Sequence, residues 1–146
     1  MTVRPHEPDG KAVDYLGPEW AARALWIIQN DPAVRQGVEG SAISLRVLIE
    51  DAPPGRAGCL FVRFDGTGLA AWHFGDPPVP AELGEPDFTL RGLYAAFAEI
   101  QDGQSSGRKS FLSGRLRFDG GMLAAMRHMG ALEAITDALA RIPSRT

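Results

Sequence analysis

The sequence predicts an α+β fold, with a five-stranded, mostly antiparallel sheet and helices packed on one of its faces. Two observations carry this prediction. Segments in which apolar and polar residues alternate, as strands require, are separated by glycine- and proline-rich turns, and segments with apolar residues three or four apart flank them. The loops between the first three alternating segments are too short for crossover helices, so these strands should pair antiparallel.

The first predicted helix covers residues 18–30. Pro18 suits a first helical position, and the Asp31–Pro32 pair ends the helix. The Asp31 side chain can cap a second short helix that runs through Gln36.

Five strands are predicted, near residues 42–50, 58–65, 68–75, 87–91 and 111–118. In the first, Ile43, Leu45, Val47 and Ile49 alternate with Ser44, Arg46 and Glu50, and a turn at Asp65–Gly66 follows the second. A cluster of three prolines after Gly75 opens the only long loop. Two further helices are predicted over residues 92–102 and 122–142, one before and one after the last strand.

The last helix carries a continuous apolar stripe with an unusual composition. Residues three or four apart along it are Met122, Met126, Met129, Leu132, Ile135, Leu139 and Ile142. Methionine is unbranched and polarizable, so it adapts to ligands of varied shape as readily as it fills a core. Either role explains the stripe, and Gly130 favours a joint within the helix.

Composition limits the classes of function. The chain has 146 residues, 15 basic and 18 acidic, with no basic stripe that would favour nucleic acid. We expect residues 1–17 to form a flexible arm, anchored at Tyr15–Leu16, and residues 18–146 to form one domain. The absence of a long apolar run predicts no transmembrane segment but leaves room for transient membrane contact. A single cysteine, Cys59, favours a reducing, cytoplasmic location.

The order and spacing of three segments resemble the sterol carrier protein type 2 family of lipid-transfer proteins, in its bacterial-type single-domain form. The segments are NDPAVRQGVEG, EPDFTLRG and SFLSGRLRFDGGMLAAMRHM, which begin at Asn30, Glu85 and Ser110. The similarity spans residues 19–130. One departure is Arg108–Lys109–Ser110, which stands where a small apolar segment is commoner, although a short helical turn before the last strand is also typical of the family.

The resemblance implies an apolar tunnel between the helices and one sheet face, which binds a fatty acid, acyl-CoA, sterol or similar molecule without a covalent bond or a cofactor. Its expected lining comes from apolar stripes of segments that the family uses for its tunnel: Trp26, Leu93, Phe97, Ile100, Met122, Met126 and Met129. Trp72 and Phe74 are added because alternation sends both side chains to one face of their strand. Arg108 and Lys109 are candidates for contacts to an anionic head group at the tunnel mouth. The ligand's identity and the oligomeric state do not follow from these residues.

Two other functions compete with carriage. The same cavity could serve a small enzyme, such as a cyclase or isomerase, with His73 or an acidic residue as proton carrier. The domain could instead dock on a lipid-metabolising enzyme. No metal site is predicted, because His6, His73 and His128 match no ligand spacing. No nucleophile-elbow motif is present either. Carriage without catalysis is therefore the favoured interpretation.

Overall fold

The computed structural model describes residues 4–146 and has the predicted α+β architecture. In chain order its elements are β1 (Val13–Asp14), α1 (Pro18–Asn30), α2 (Pro32–Val38), β2 (Ala42–Ile49), β3 (Cys59–Asp65), β4 (Leu69–Gly75), a 3-10 turn (Ala81–Leu83), β5 (Phe88–Gly92), α3 (Tyr94–Gln101), α4 (Gly107–Leu112), β6 (Leu116–Gly120), α5 (Met122–Arg127), α6 (Met129–Ala140) and β7 (Ser144–Arg145).

The main sheet has the strand order β4-β3-β2-β5-β6. As predicted, β2, β3 and β4 pair antiparallel, and β5 pairs antiparallel with β6. The pair β2–β5 is parallel. Because β4 and β5 lie on opposite sides of β3 and β2 and run in the same direction, the segment between them, residues 76–87, must cross the sheet.

One face of the sheet is apolar and meets the helices. The registers Leu45↔Val62 and Val62↔Trp72 place alternate residues of β2, β3 and β4 on this face. Trp72 and Phe74 both belong to it and pack in one cluster with residues of α1, α3 and α6. This apolar face is the floor on which the helices rest.

The opposite face carries charged residues, but it is not bare. Phe61 and Cys59 point to this side and are fully buried. The crossing segment lies over Phe61: a Cβ at Gly84 would lie 3.2 Å from the Arg63 guanidinium, which itself stacks 5.2 Å from the centre of the Phe61 ring. The segment between β4 and β5 therefore supplies the second layer that helices supply on the apolar face.

The predicted strand near 111–118 is wrong in its first half. Residues 107–112 form α4 instead, and the strand begins at Leu116. The Ser106 hydroxyl accepts a 3.0 Å hydrogen bond from the Lys109 amide, which caps the helix, and Gly114 turns the chain with φ 80°. The alternation through Leu112 was misleading, because this side chain is 76% exposed.

The single helix predicted over 122–142 is two helices. His128 lies between them with φ −103° and ψ 13°, so the joint is two residues before Gly130, where it was expected. In the last turn of α5, the carbonyls of Ala124 and Ala125 accept hydrogen bonds from the His128 amide.

Both ends of the described chain are tied to the fold. β1 pairs in parallel with β7, and Val13, Tyr15 and Leu16 are buried, so the anchor expected at Tyr15–Leu16 is present and reaches back to Val13. The part of the predicted arm from residue 13 onward belongs to the packed domain, while residues 1–3 lie outside the described residues. At the other end, Gln101 donates hydrogen bonds to carbonyls near the end of α6.

Candidate functional site

The structure brings together five of the nine residues predicted to line an apolar cavity. They lie in or against the single hydrophobic cluster between the helices and the apolar face: Trp26, Trp72, Phe74, Phe97 and Ile100. Phe74 and Phe97 are nearly inaccessible, with 6% and 7% exposure, while the other three are partly buried. These five residues are part of the packed core between the helices and the sheet.

The other four predicted residues lie at the surface. Leu93 is 55% exposed, and Met122, Met126 and Met129 are 51%, 63% and 37% exposed. The methionines thus do not wall a closed cavity, contrary to the expectation. For Met122 and Met126 the reason lies in the packing of α5, whose large apolar side chains face outward and not toward the core.

In α5 the small residues face inward and the large apolar residues face outward. Ala125 is 3% exposed and Ala124 is half-buried, whereas Leu123 is 81% exposed. At 100° per residue the two alanines fall on one side of the helix, and Met122, Leu123 and Met126 fall on the other. Alanine lets the helix approach the sheet closely, but each alanine buries little apolar area there.

The N-terminal connection of α5 requires glycine. Gly120 has φ 139°, and a Cβ built on it would lie 2.7 Å from the Asp87 carbonyl oxygen and 2.9 Å from the Phe88 ring. No other residue fits there without a backbone shift. Gly121 follows directly, so α5 is joined to β6 by two glycines and to α6 by the irregular residue His128.

Two open clefts flank α5. The one beneath it has a volume of about 320 Å³, with Ile43 and Phe88 of the apolar face as its floor and Ala124 and His128 on the helix side. We call it the α5 cleft. The second, of about 360 Å³, lies between α2 and the start of α6, and Arg127 and His128 are part of its rim. His128 borders both clefts.

Sequence reasoning missed this location. It considered His128 only as a metal ligand and did not single out Ile43, Phe88 or Ala124 as ligand contacts. One signal was present in the sequence: two small residues stand between Met122 and Met126, so the small side chains, rather than the methionines, could face the sheet at close range.

The predicted head-group residues are not at either cleft. The Arg108 guanidinium makes a 2.6 Å ion pair with Glu133 of α6, and both side chains are largely solvated. Lys109 is exposed on α4 and has no ion-pair partner among residues 4–146. Their assignment to a head group stays a prediction.

His73, the predicted proton carrier, and the buried Cys59 both lie on the charged face of the sheet, away from the α5 cleft. His73 pairs with Phe61 across β3 and β4 and so lies on the charged face, where its Nε2 is 3.1 Å from the Asp76 carbonyl oxygen. Burial raises the pKa of the Cys59 thiol to about 11, which keeps it protonated at neutral pH.

Two kinds of feature are absent from the described part of the chain. Within residues 4–146, no three or more His, Cys, Asp or Glu side chains are grouped as a metal site would require. Among the helices of the same residues, none combines the length and the apolar character needed to cross a bilayer.

Comparison with solved structures shows the same fold in sterol carrier proteins. A crystal structure of sterol carrier protein 2 aligns with a TM-score of 0.69 at 16% identity, over 85% of this chain and 95% of that one. The solution structure of a conserved hypothetical protein from Thermus thermophilus aligns with a TM-score of 0.70 at 14% identity, over 95% and 97%. The apo form of sterol carrier protein 2 from Yarrowia lipolytica gives 0.53 at 15% identity, over 81% and 88%.

Sequence comparison assigns the family. No curated protein matches the chain significantly. The family model of the SCP-2 sterol transfer family, however, matches residues 26–133, which cover most of the chain and include every residue that lines the α5 cleft. The match includes α1 from Trp26 onward, the whole main sheet and the start of α6. This chain belongs to the SCP-2 sterol transfer family.

Proposed function

We propose that this protein binds one elongated apolar molecule, such as a fatty acid or its acyl-CoA, between α5 and the apolar face, and carries it without chemical change. The observation that carries the proposal is the α5 cleft, an open space beside α5 that Ile43 and Phe88 of that face border although both are nearly buried. Membership of a lipid-transfer family supports the same function. The free, buried thiol of Cys59 fits a reducing cytoplasm as the place of action.

In this proposal α5 is the movable wall. Its inward side consists of alanines, so lifting it from the sheet exposes little apolar area. The two glycines before it and the irregular His128 after it supply points where the backbone can rotate. A ligand that enters the cleft would displace α5 outward and bury its chain against Ile43, Phe88 and the cluster beyond them.

Affinity would come from the burial of methylene groups. Each one moved from water to an apolar site contributes about 0.8 kcal/mol, or roughly fourfold in Kd. Most of the residues that line the α5 cleft are apolar, and Asp87 supplies its one carboxylate. That carboxylate is held by the Ser44 amide at 2.8 Å and the Ser44 hydroxyl at 3.1 Å, so it is engaged within the sheet.

Carriage is favoured over catalysis by the position of His73. A proton carrier has to reach the bound substrate, and His73 lies on the opposite face of the sheet from the α5 cleft. If a candidate lipid were converted by the protein and the conversion were lost in His73→Ala, catalysis would replace carriage as the function.

Native mass spectrometry of the purified chain, followed by titration with a fluorescent fatty acid, tests the proposal. We expect a co-purified or added lipid at one per chain, an affinity that rises with chain length, and little change in affinity between low and high salt. A chain that stays free of lipid at a saturating concentration of the probe would instead favour the alternative in which the domain docks on a lipid-metabolising enzyme.

A further inference from the structure

The outer surface of α4 and α5 combines two features that a soluble domain seldom shows together. Its large apolar side chains are exposed: Phe111, Leu112, Met122, Leu123 and Met126. Isolated exposed apolar residues are ordinary, but five on two short helices are a reason to look for a partner. We call this region the α4–α5 surface.

The two helices are neighbours on the same side of the sheet. The Phe111 ring of α4 packs edge-on against Phe118 of β6, with centroids 6.2 Å apart. Phe118 in turn lies 5.3 Å from Phe88, which is the floor beneath Ala124 of α5. Both helices therefore lie next to adjoining rings of one aromatic row.

The segment that contains α4 and α5 is positively charged, whereas the rest of the chain is negatively charged. Residues 107–128 contain five basic side chains and one acidic side chain, whereas the other residues contain ten basic and seventeen acidic ones. Within residues 4–146, Lys109 of α4 and Arg127 of α5 have no carboxylate at ion-pair distance. These two cations border the exposed apolar side chains and are available to a negative partner.

We propose that the α4–α5 surface docks on an anionic lipid bilayer. Apolar side chains on a short helix flanked by free cations match the interface of such a bilayer, where methionine and leucine enter the acyl boundary and lysine and arginine stay among the phosphates. The acidic remainder of the chain is repelled by the same bilayer, which fixes the orientation. Docking this way places the α5 cleft at the membrane. The inference goes beyond carriage and holds with or without a bound ligand.

Co-sedimentation of the full chain with phosphatidylcholine vesicles, with and without phosphatidylserine, tests this docking. We expect binding only to the phosphatidylserine vesicles, and weaker binding as salt is raised. Lys109→Glu should lower the partition coefficient by roughly tenfold or more, since each cation near such a surface contributes about fivefold. Lys11→Glu is the matched control, because it changes the charge equally on the chain's only other lysine, which lies far along the sequence near β1.

Met126→Asp tests the apolar half of the surface. This side chain is 63% exposed, so the variant should fold with an unchanged melting temperature, yet its partition coefficient should fall at least tenfold. Wild-type-like binding by either Lys109→Glu or Met126→Asp would overturn the proposal, as would no binding of the wild type to phosphatidylserine vesicles. A dimer in sedimentation that Met126→Asp abolishes would assign the surface to self-association instead.

Discussion

Filling the α5 cleft should weaken ligand binding strongly while leaving the chain folded. Ala124 points into this cleft from the helix side, and Ile43 and Phe88 lie opposite. In Ala124→Phe the new ring occupies space that the proposed ligand needs. We expect a large loss of affinity for a fluorescent fatty acid.

The size of the affinity loss follows from the volume that the new ring occupies in the cleft. The substitution adds a phenyl ring to a cleft of about 320 Å³. If the ring takes the place of about four methylene groups of the ligand, the lost burial is about 3 kcal/mol, or about 150-fold in Kd. The cost to folding should be about 1–3 kcal/mol, because Ala124 faces the sheet at close range and the larger ring has to push α5 outward.

Leu123→Phe is the matched control for this experiment. It places the same ring on the same helix one residue away, but at a position that is 81% exposed on the outer side. Fluorescence titration of both variants gives the affinities, and thermal unfolding shows that each is folded. If Ala124→Phe bound the fatty acid as tightly as Leu123→Phe, the α5 cleft would not be the ligand site.

Three further predictions concern the scaffold. Gln101→Leu removes the donor to the Leu139 and Ile142 carbonyls and should cost about 1–3 kcal/mol of unfolding free energy in urea titrations, and an unchanged midpoint would contradict this role. Gly120→Ala should destabilise the fold by about 1–3 kcal/mol, because φ 139° and the nearby carbonyl exclude a Cβ, and wild-type stability would refute the strain. Burial raises the pKa of the Cys59 thiol from 9.0 to about 11, so its contribution to stability is present below pH 9 and is lost as pH rises through 11. Chemical denaturation across this range should show a steeper loss in the wild type than in Cys59→Ala.

The periodicity of the chain was sufficient to predict the sheet, because each strand has one apolar face and turn residues at its ends. Alternation also placed Trp72 and Phe74 on one face, and pairing with β3 shows that this face meets the helices. The error at α4 arose because Leu112 continues the alternation by chance, while a local signal, the Ser106 cap, determines the helix.

The candidate site was harder to predict for a physical reason. An apolar stripe on a helix normally faces the core, and the methionines of α5 were interpreted in that way. The direction in which a six-residue helix faces depends on the segments around it, here the close approach allowed by Ala124 and Ala125. The hydrophobicity of the residues and the period of the apolar pattern do not determine how closely a helix approaches the sheet.

The central claim is that an acyl chain lies between α5 and the apolar face, and nuclear Overhauser contacts between a bound fatty acid and the protein test it most directly. The account predicts contacts from the acyl methylene protons to Ile43, Phe88 and Ala124, the residues that border the α5 cleft. Contacts confined to the charged face around His73, or saturable binding with no contact to these three residues, would contradict it.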